Sequence, residues 1–165
     1  MSLVDERALR VGFNRLAVAV SIITTLDGER PHGCTGMAWA EHPDPPLVLT
    51  TLRRDGNTFD LVRASGVFGV NVLAGDQQPR VYAFAARSRE PGDRFADIPW
   101  KPGPARAVPL LEDCVATFEC EVRDVHPFGG HHIVVGEVVS TGPAVDDRAL
   151  VHYDGRLWTL RGESS

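Results

Sequence analysis

Two Asp-Gly pairs constrain this chain more than any other feature. Asp27-Gly28 follows "VAVSIITTL" and precedes "ERPHGCTGMAWA"; Asp154-Gly155 stands between "LVHY" and "RLWTL". Asp-Gly between β-prone runs is a strong hairpin signal, because a two-residue turn needs positive φ at its centre. Sixteen glycines and twelve prolines carry the point through the chain: turns are frequent and elements short.

Between the hairpins the chain reads as further strands. "PDPPLVLTTL" is a strand whose start is set by prolines, which cannot donate to a ladder. "VFGVNVL" is apolar on both faces, as a central, doubly covered strand requires. "CVATFECEV" alternates, with Cys114, Ala116, Phe118, Cys120 and Val122 on one side and Val115, Thr117, Glu119 and Glu121 on the other. "HHIVVGEVVSTG" is a long strand.

Three short helices are expected. Asp5 caps the first, with Leu9, Phe13 and Leu16 on one face. The second is "DGNTFDLVRASG", with Asn57 or Asp55 as its cap and Gly66 just past its end. The third is "GDQQPRVYAFAARS", with Val81, Phe84 and Ala85 on its buried side. Seven or eight mostly antiparallel strands with helices outside them make a mainly β chain with short helices, closed as a β-barrel. Residues 1–165 read as one domain, a size that buries about 70% of the unfolded surface.

Composition excludes several classes. A net charge of −5 without a Lys/Arg run leaves no footprint for nucleic acid. Cys34, Cys114 and Cys120 are too few and too unevenly placed for a disulfide framework, which suits a reducing cytoplasm. Neither a long apolar run nor a basic-then-apolar leader is present, so no membrane insertion or export is expected. No G-x-G-x-x-G follows a strand, and neither a P-loop nor a G-x-S-x-G occurs. The six histidines lack metal-site company, and His131 and His132 face opposite sides of a strand, so no metal is expected.

The stretch from Arg30 to Thr58, "RPHGCTGMAWAEHPDPPLVLTTLRRDGNT", holds the chemistry. On a strand over 33–40, Cys34, Gly36, Ala38 and Ala40 share one face, and Thr35, Met37 and Trp39 the other. Such a small-residue face serves either tight packing inside a small barrel or the close approach of a planar ring. Arg53 and Arg54 then precede the Asn57-Thr58 helix start. Guanidinium forks, a hydroxyl and free helix N–H groups suit a phosphate; a solvated charge pair beside an ordinary cap is the plainer alternative.

Taken in order, "HGCTGMAWAEHPDPPLVLTTLRRDGNT", "SGVFGVNVL", "YAFAARS…DRF", "FECEV", "GGHHIVVGEV" and "LVHYDGRLWTL" resemble the flavin reductase-like, FMN-binding split-barrel family, from about residue 8 to about 160. That family includes reductase components of two-component flavin monooxygenases. The resemblance implies a Greek-key-like antiparallel split barrel that binds FMN or FAD and takes hydride from NADH or NADPH. It further implies a homodimer and a monooxygenase as recipient of reduced flavin. By position it places Thr35, Gly36, Met37, Thr50, Thr51 and Leu52 beside the flavin ring. Asn57 and Thr58 fall at the phosphate, with Arg53 or Arg54 as charge partner. Phe84, Ala85 and Arg87 fall near the ribityl chain and phosphate, and His131 near the nicotinamide. Gly130 departs from the family's pattern, standing where an Asp usually precedes that His.

Hydride transfer of this kind requires alignment rather than an initial general acid, so His131 is read as a positioning group. Two other readings compete. A flavin-holding carrier or sensor without turnover would use the same pocket, and Gly130 is the one hint in its favour. An oxidase of a phosphorylated pyridine would need a second arginine cluster, which the sequence does not offer.

Overall fold

The Asp-Gly signals do become hairpins. In the computed structural model, which describes residues 4–86, 94–144 and 148–160, β2 (Ser21–Asp27) pairs with β3 (Arg30–Gly36), with Gly28 at φ 62° in the turn. Near the other end β11 (Leu150–Tyr153) pairs with β12 (Arg156–Thr159) around Asp154 and Gly155, at φ 52° and 71°.

The principal sheet has seven antiparallel strands in the order β3-β2-β6-β9-β10-β5-β4. Its other members are β4 (Ala38–Pro43), β5 (Pro46–Arg53), β6 (Val67–Val72), β9 (Ala116–Phe128) and β10 (His131–Thr141). The two ends of that order, β3 and β4, are separated in the chain by Met37 alone. The sheet must therefore curl until its ends meet, which is the expected split barrel. The strand read as continuous over 33–40 breaks at this corner, because its halves pair with different partners, β2 and β5. The Thr50 hydroxyl pins the bend by donating to the Met37 carbonyl at 2.8 Å. Two small sheets complete the fold among the described residues: β1 (Val18–Ala19) with β11 and β12, and β7 (Trp100–Pro102) with β8 (Pro109–Leu111).

Period-two alternation divides β2 between two cores. Ile23 packs with Val48, Leu52, Phe68, Val70, Cys120 and Val134. Ile22 packs on the other side with Leu73, Phe84, Phe95, Leu111, Cys114 and Leu150. Helix α2 (Asn57–Ser65) contributes Phe59 and Val62 to the first core, and α3 (Gln78–Ala85) contributes Phe84 to the second. Burying a side chain of the size of Phe59 stabilises by roughly 2 kcal/mol. Gly136 is required by packing: a Cβ there would run into the Phe68 ring and Cys120. β6 lies between β2 and β9 and is covered on both faces, as expected.

Some expectations need correction. The α2 cap is Gly56, with no side-chain cap bond; Asn57 is the first helical residue, and Asp55 instead binds Arg53. Ala85 is exposed rather than buried. On β9 the sequence alternation left the surroundings of the second face open; there Thr117 and Glu119 are buried, and the Glu119 carboxylate accepts from the amides of Ala105 and Arg106 at 2.8 and 2.7 Å. A buried carboxylate is tolerated there because main-chain donors replace its water. Cys114 and Cys120 are core residues as expected, and burial pushes their thiols up to about 11 and about 12. Helix α1 (Glu6–Asn14) is capped by Asp5, whose carboxylate accepts from the Arg7 amide at 2.8 Å. Leu9, Phe13 and Leu16 are exposed; no described part of the chain covers them. No helix among the described residues is long and apolar enough to cross a membrane.

Candidate functional site

A cavity of about 720 Å³ opens where the two ends of the sheet meet. Its lining comes from β3 (His32, Cys34, Thr35, Gly36), the Met37 corner, β5 (Thr51, Leu52, Arg53), the α2 entrance (Asp55, Gly56, Asn57, Thr58), α3 (Phe84, Ala85), Arg94 and His131. The volume lies within the roughly 300–1,000 Å³ usual for small-molecule and cofactor pockets.

Each wall follows from local sequence. On β3 the small residues do two jobs: Cys34 packs against the first core, and a Cβ on Gly36 would meet the Ile23 side chain at 3.0 Å. Close packing therefore explains part of this small-residue face, while its edge and the Met37 corner border the cavity. Thr35 donates its hydroxyl to the Val81 carbonyl at 2.8 Å, tying β3 to α3. The α2 entrance brings Gly56, Asn57 and Thr58 to the cavity with no side chain sealing the helix end. Unsealed first-turn amides and the positive end of the helix dipole favour an anion.

The cations differ in how they are held. Arg53 forms a two-pronged bond to Asp55 at 2.9 and 2.7 Å, on the exposed rim. Arg94 donates to the carbonyls of Gly33, Phe84 and Ala86 at 2.9, 3.4 and 2.7 Å. Its Nε is buried with no hydrogen-bond partner among the described residues. His32 is 3% exposed, with Nε2 2.9 Å from the Thr58 hydroxyl and Nδ1 without a partner among the described residues. Burial, then the Arg94 charge, lower the His32 pKa below its ordinary value, so the ring is neutral at pH 7. Burial raises the Cys34 thiol pKa, so a reactive thiolate is not favoured there.

Of the residues assigned on sequence, Thr35, Gly36, Met37, Thr51, Leu52, Arg53, Asn57, Thr58, Phe84, Ala85 and His131 come together around this one cavity. Thr50 does not line it; it is fully buried, with its hydroxyl committed to the Met37 carbonyl. Arg54 is not among the lining side chains, and its amide bonds the Gly130 carbonyl at 3.0 Å. Arg87 lies outside the described residues. His131 and His132 do face opposite sides: His131 is exposed at the cavity, across the ladder from Arg53, whereas His132 stacks on Phe59 at 3.7 Å. His32, Cys34, Asp55, Gly56 and Arg94 were missed. The signals for them were the "PHG" before Cys34, the small-residue face that Cys34 shares, the "DG" before α2 and the "DRF" after α3.

Residues 13–161 match the model of the flavin reductase like domain. The chain belongs to this family. Among flavin reductase relatives, the reductase subunit HsaB of a flavin-dependent monooxygenase from Rhodococcus jostii (strain RHA1) is 34% identical, over 93% of this chain and 77% of that protein. An NADH-dependent flavin reductase from a Rhodococcus species is 36% identical, over 92% and 85%. Among solved flavin reductases, the Streptomyces globisporus C-1027 NADH:FAD oxidoreductase SgcE6, in complex with NAD and FAD fragments, superposes with a TM-score of 0.88 at 27% identity over the whole of both chains. The cavity suits the group this family handles. It offers a small-residue edge and bent main chain for a flat ring, an unsealed helix end for an anion, and buried polar atoms on Arg94 and His32 without partners among the described residues.

Proposed function

We propose that this protein is an NAD(P)H:flavin oxidoreductase, transferring hydride from NADH or NADPH to FMN or FAD and supplying the reduced flavin to a partner monooxygenase. The observation that carries the reading is the single cavity at the sheet closure, where eleven of the thirteen residues assigned by family resemblance converge. The likeness to an NADH-dependent flavin reductase and to a monooxygenase reductase subunit supports it. The whole chain, 1–165, acts as one flavin-binding unit.

A bound flavin supplies the hydride-accepting ring; the chain's share is alignment and electrostatics. Thr35, Gly36 and Met37, with Thr51 and Leu52 opposite, border the ring and present main-chain groups to its heteroatoms. Asn57 and Thr58, at the open end of α2, receive the phosphate, and Arg87 serves the same end of the ligand. Phe84 and Ala85 wall the ribityl chain. Arg53 lends charge at the rim, restrained by Asp55. His131, exposed at the mouth, positions the nicotinamide and excludes water from its approach. Main-chain donors aimed at the developing anion contribute as an oxyanion hole does.

The protein works as a homodimer in the cytoplasm. The apolar side chains that α1 leaves open, Leu9 and Phe13, and the exposed Trp39 favour a covering second copy, and three free cysteines suit a reducing compartment. Sedimentation as a monomer at micromolar concentration would end the dimer reading.

The decisive assay mixes the protein with NADH or NADPH and with FMN or FAD, following dihydronicotinamide absorbance. Flavin-dependent oxidation is expected. Flavin binding without turnover would leave a carrier or sensor, the reading that Gly130 favours; no flavin binding would end both.

A further inference from the structure

One buried residue on the cavity wall, His32, has no part in the assignments above. His32 on β3 and Thr58 in the first turn of α2 are both buried, both line the cavity, and meet at 2.9 Å between Nε2 and Oγ1. Nδ1 of His32 is buried and has no hydrogen-bond partner among the described residues, and that decides where the ring carries its proton. A proton on Nδ1 would bury an N–H donor with nothing to accept it, an arrangement folded proteins rarely keep. A proton on Nε2 is donated to Thr58 Oγ1 and leaves only a bare lone pair at Nδ1. Burial and the neighbouring Arg94 oppose a second proton, so the ring stays in this tautomer. A hydroxyl that accepts from His32 has its own hydrogen to give.

We infer that His32 is a positioning residue for the flavin's phosphate: by donating to Thr58 it frees the Thr58 hydroxyl proton for that phosphate at the open end of α2. The inference rests on the flavin reading above. It deepens that reading by naming what orients the phosphate contact.

The test titrates riboflavin and FMN into the unaltered protein and into His32→Ala, His32→Gln, Thr58→Val and the His32→Ala/Thr58→Val double variant. The unaltered protein binds FMN more tightly than riboflavin. His32→Ala weakens FMN about tenfold and leaves riboflavin unchanged, which also reports an intact fold. His32→Gln, whose amide still donates to Thr58, recovers most of the loss. The double variant is no weaker than Thr58→Val alone, as expected when one group acts through the other.

An FMN preference that survives His32→Ala, or that survives Thr58→Val should His32→Ala not fold, overturns the inference and spares the flavin reading. So does an equal loss for riboflavin and FMN. Equal affinity for the two ligands in the unaltered protein removes the phosphate placement and this role with it; no affinity for either ends the flavin reading itself.

Discussion

The cavity has a rim and a wall, and they are built on opposite principles. At the rim, Arg53 and Asp55 satisfy each other in water, with half or more of each side chain exposed, and His131 stands open beside them. At the wall, His32, Thr58, Cys34 and Arg94 are withdrawn from solvent to different degrees, and two of them keep a polar atom without a partner among the described residues. An exposed ion pair is screened and contributes little to stability, whereas a desolvated polar group gains much from a ligand that completes its bonds. The rim should therefore govern how ligands arrive, and the wall how firmly they stay.

The largest effect expected from breaking this contrast comes from Arg94. Arg94→Ala deletes three hydrogen bonds to carbonyls of β3 and the end of α3. Stability should fall by about 3 kcal/mol, lowering the melting temperature by roughly 6–12 °C for a chain of this size, with flavin affinity falling too. Arg94→Lys should recover less than half, because one ammonium cannot reproduce the fork. Calorimetry that finds neither variant destabilised would remove the wall's structural role.

Next is a pH effect. His32 has a folded pKa below its ordinary 6.5, so as pH falls through 6.5 the unfolded chain takes up a proton that the native ring refuses. Stability should accordingly decline with falling pH from that point until the lowered native pKa is passed. Urea unfolding at pH 5 and pH 7 should show a smaller difference for His32→Gln than for the unaltered protein; an identical difference would contradict the neutral buried ring.

Smaller still, Asp55→Asn releases Arg53 at the rim. Flavin association by stopped flow should quicken a few-fold and depend more steeply on salt, with the melting temperature hardly moved. Slower association would reverse the assigned role of the rim. The smallest change is expected from Gly130→Asp. A Cβ at Gly130 meets nothing within 4 Å, so the fold should accept it, and the carboxylate should lower the nicotinamide KM two- to threefold, roughly, by orienting His131.

The rim was the legible half of the site. An Arg pair before a helix start, a glycine past its end and the parity of β10 are local signals, and they brought Arg53, Asn57 and His131 to one cavity. The wall depends on distance in sequence: His32 meets Thr58 across 26 residues, and Arg94 reaches Gly33 across 61. No periodicity encodes such contacts. Parity alone did not sort β5, since Leu52 shares Thr50's side of the strand and still lines the cavity, whereas Thr50 is fully buried and donates to the Met37 carbonyl. The barrel was legible from its turns, yet the buried polar face of β9 was not, because its partner is the 103–107 loop, whose amides reach Glu119 without any pattern of their own.

The Met37 corner makes the first and last strands of one sheet into chain neighbours, and the cavity takes its lining from both sides of that closure. A molecule lodged there acts as a clasp on the whole cylinder, so the time it stays and the frequency with which the cylinder gapes are two readings of the same event. Amide exchange in β3 and β5 should slow together when the clasp is in place.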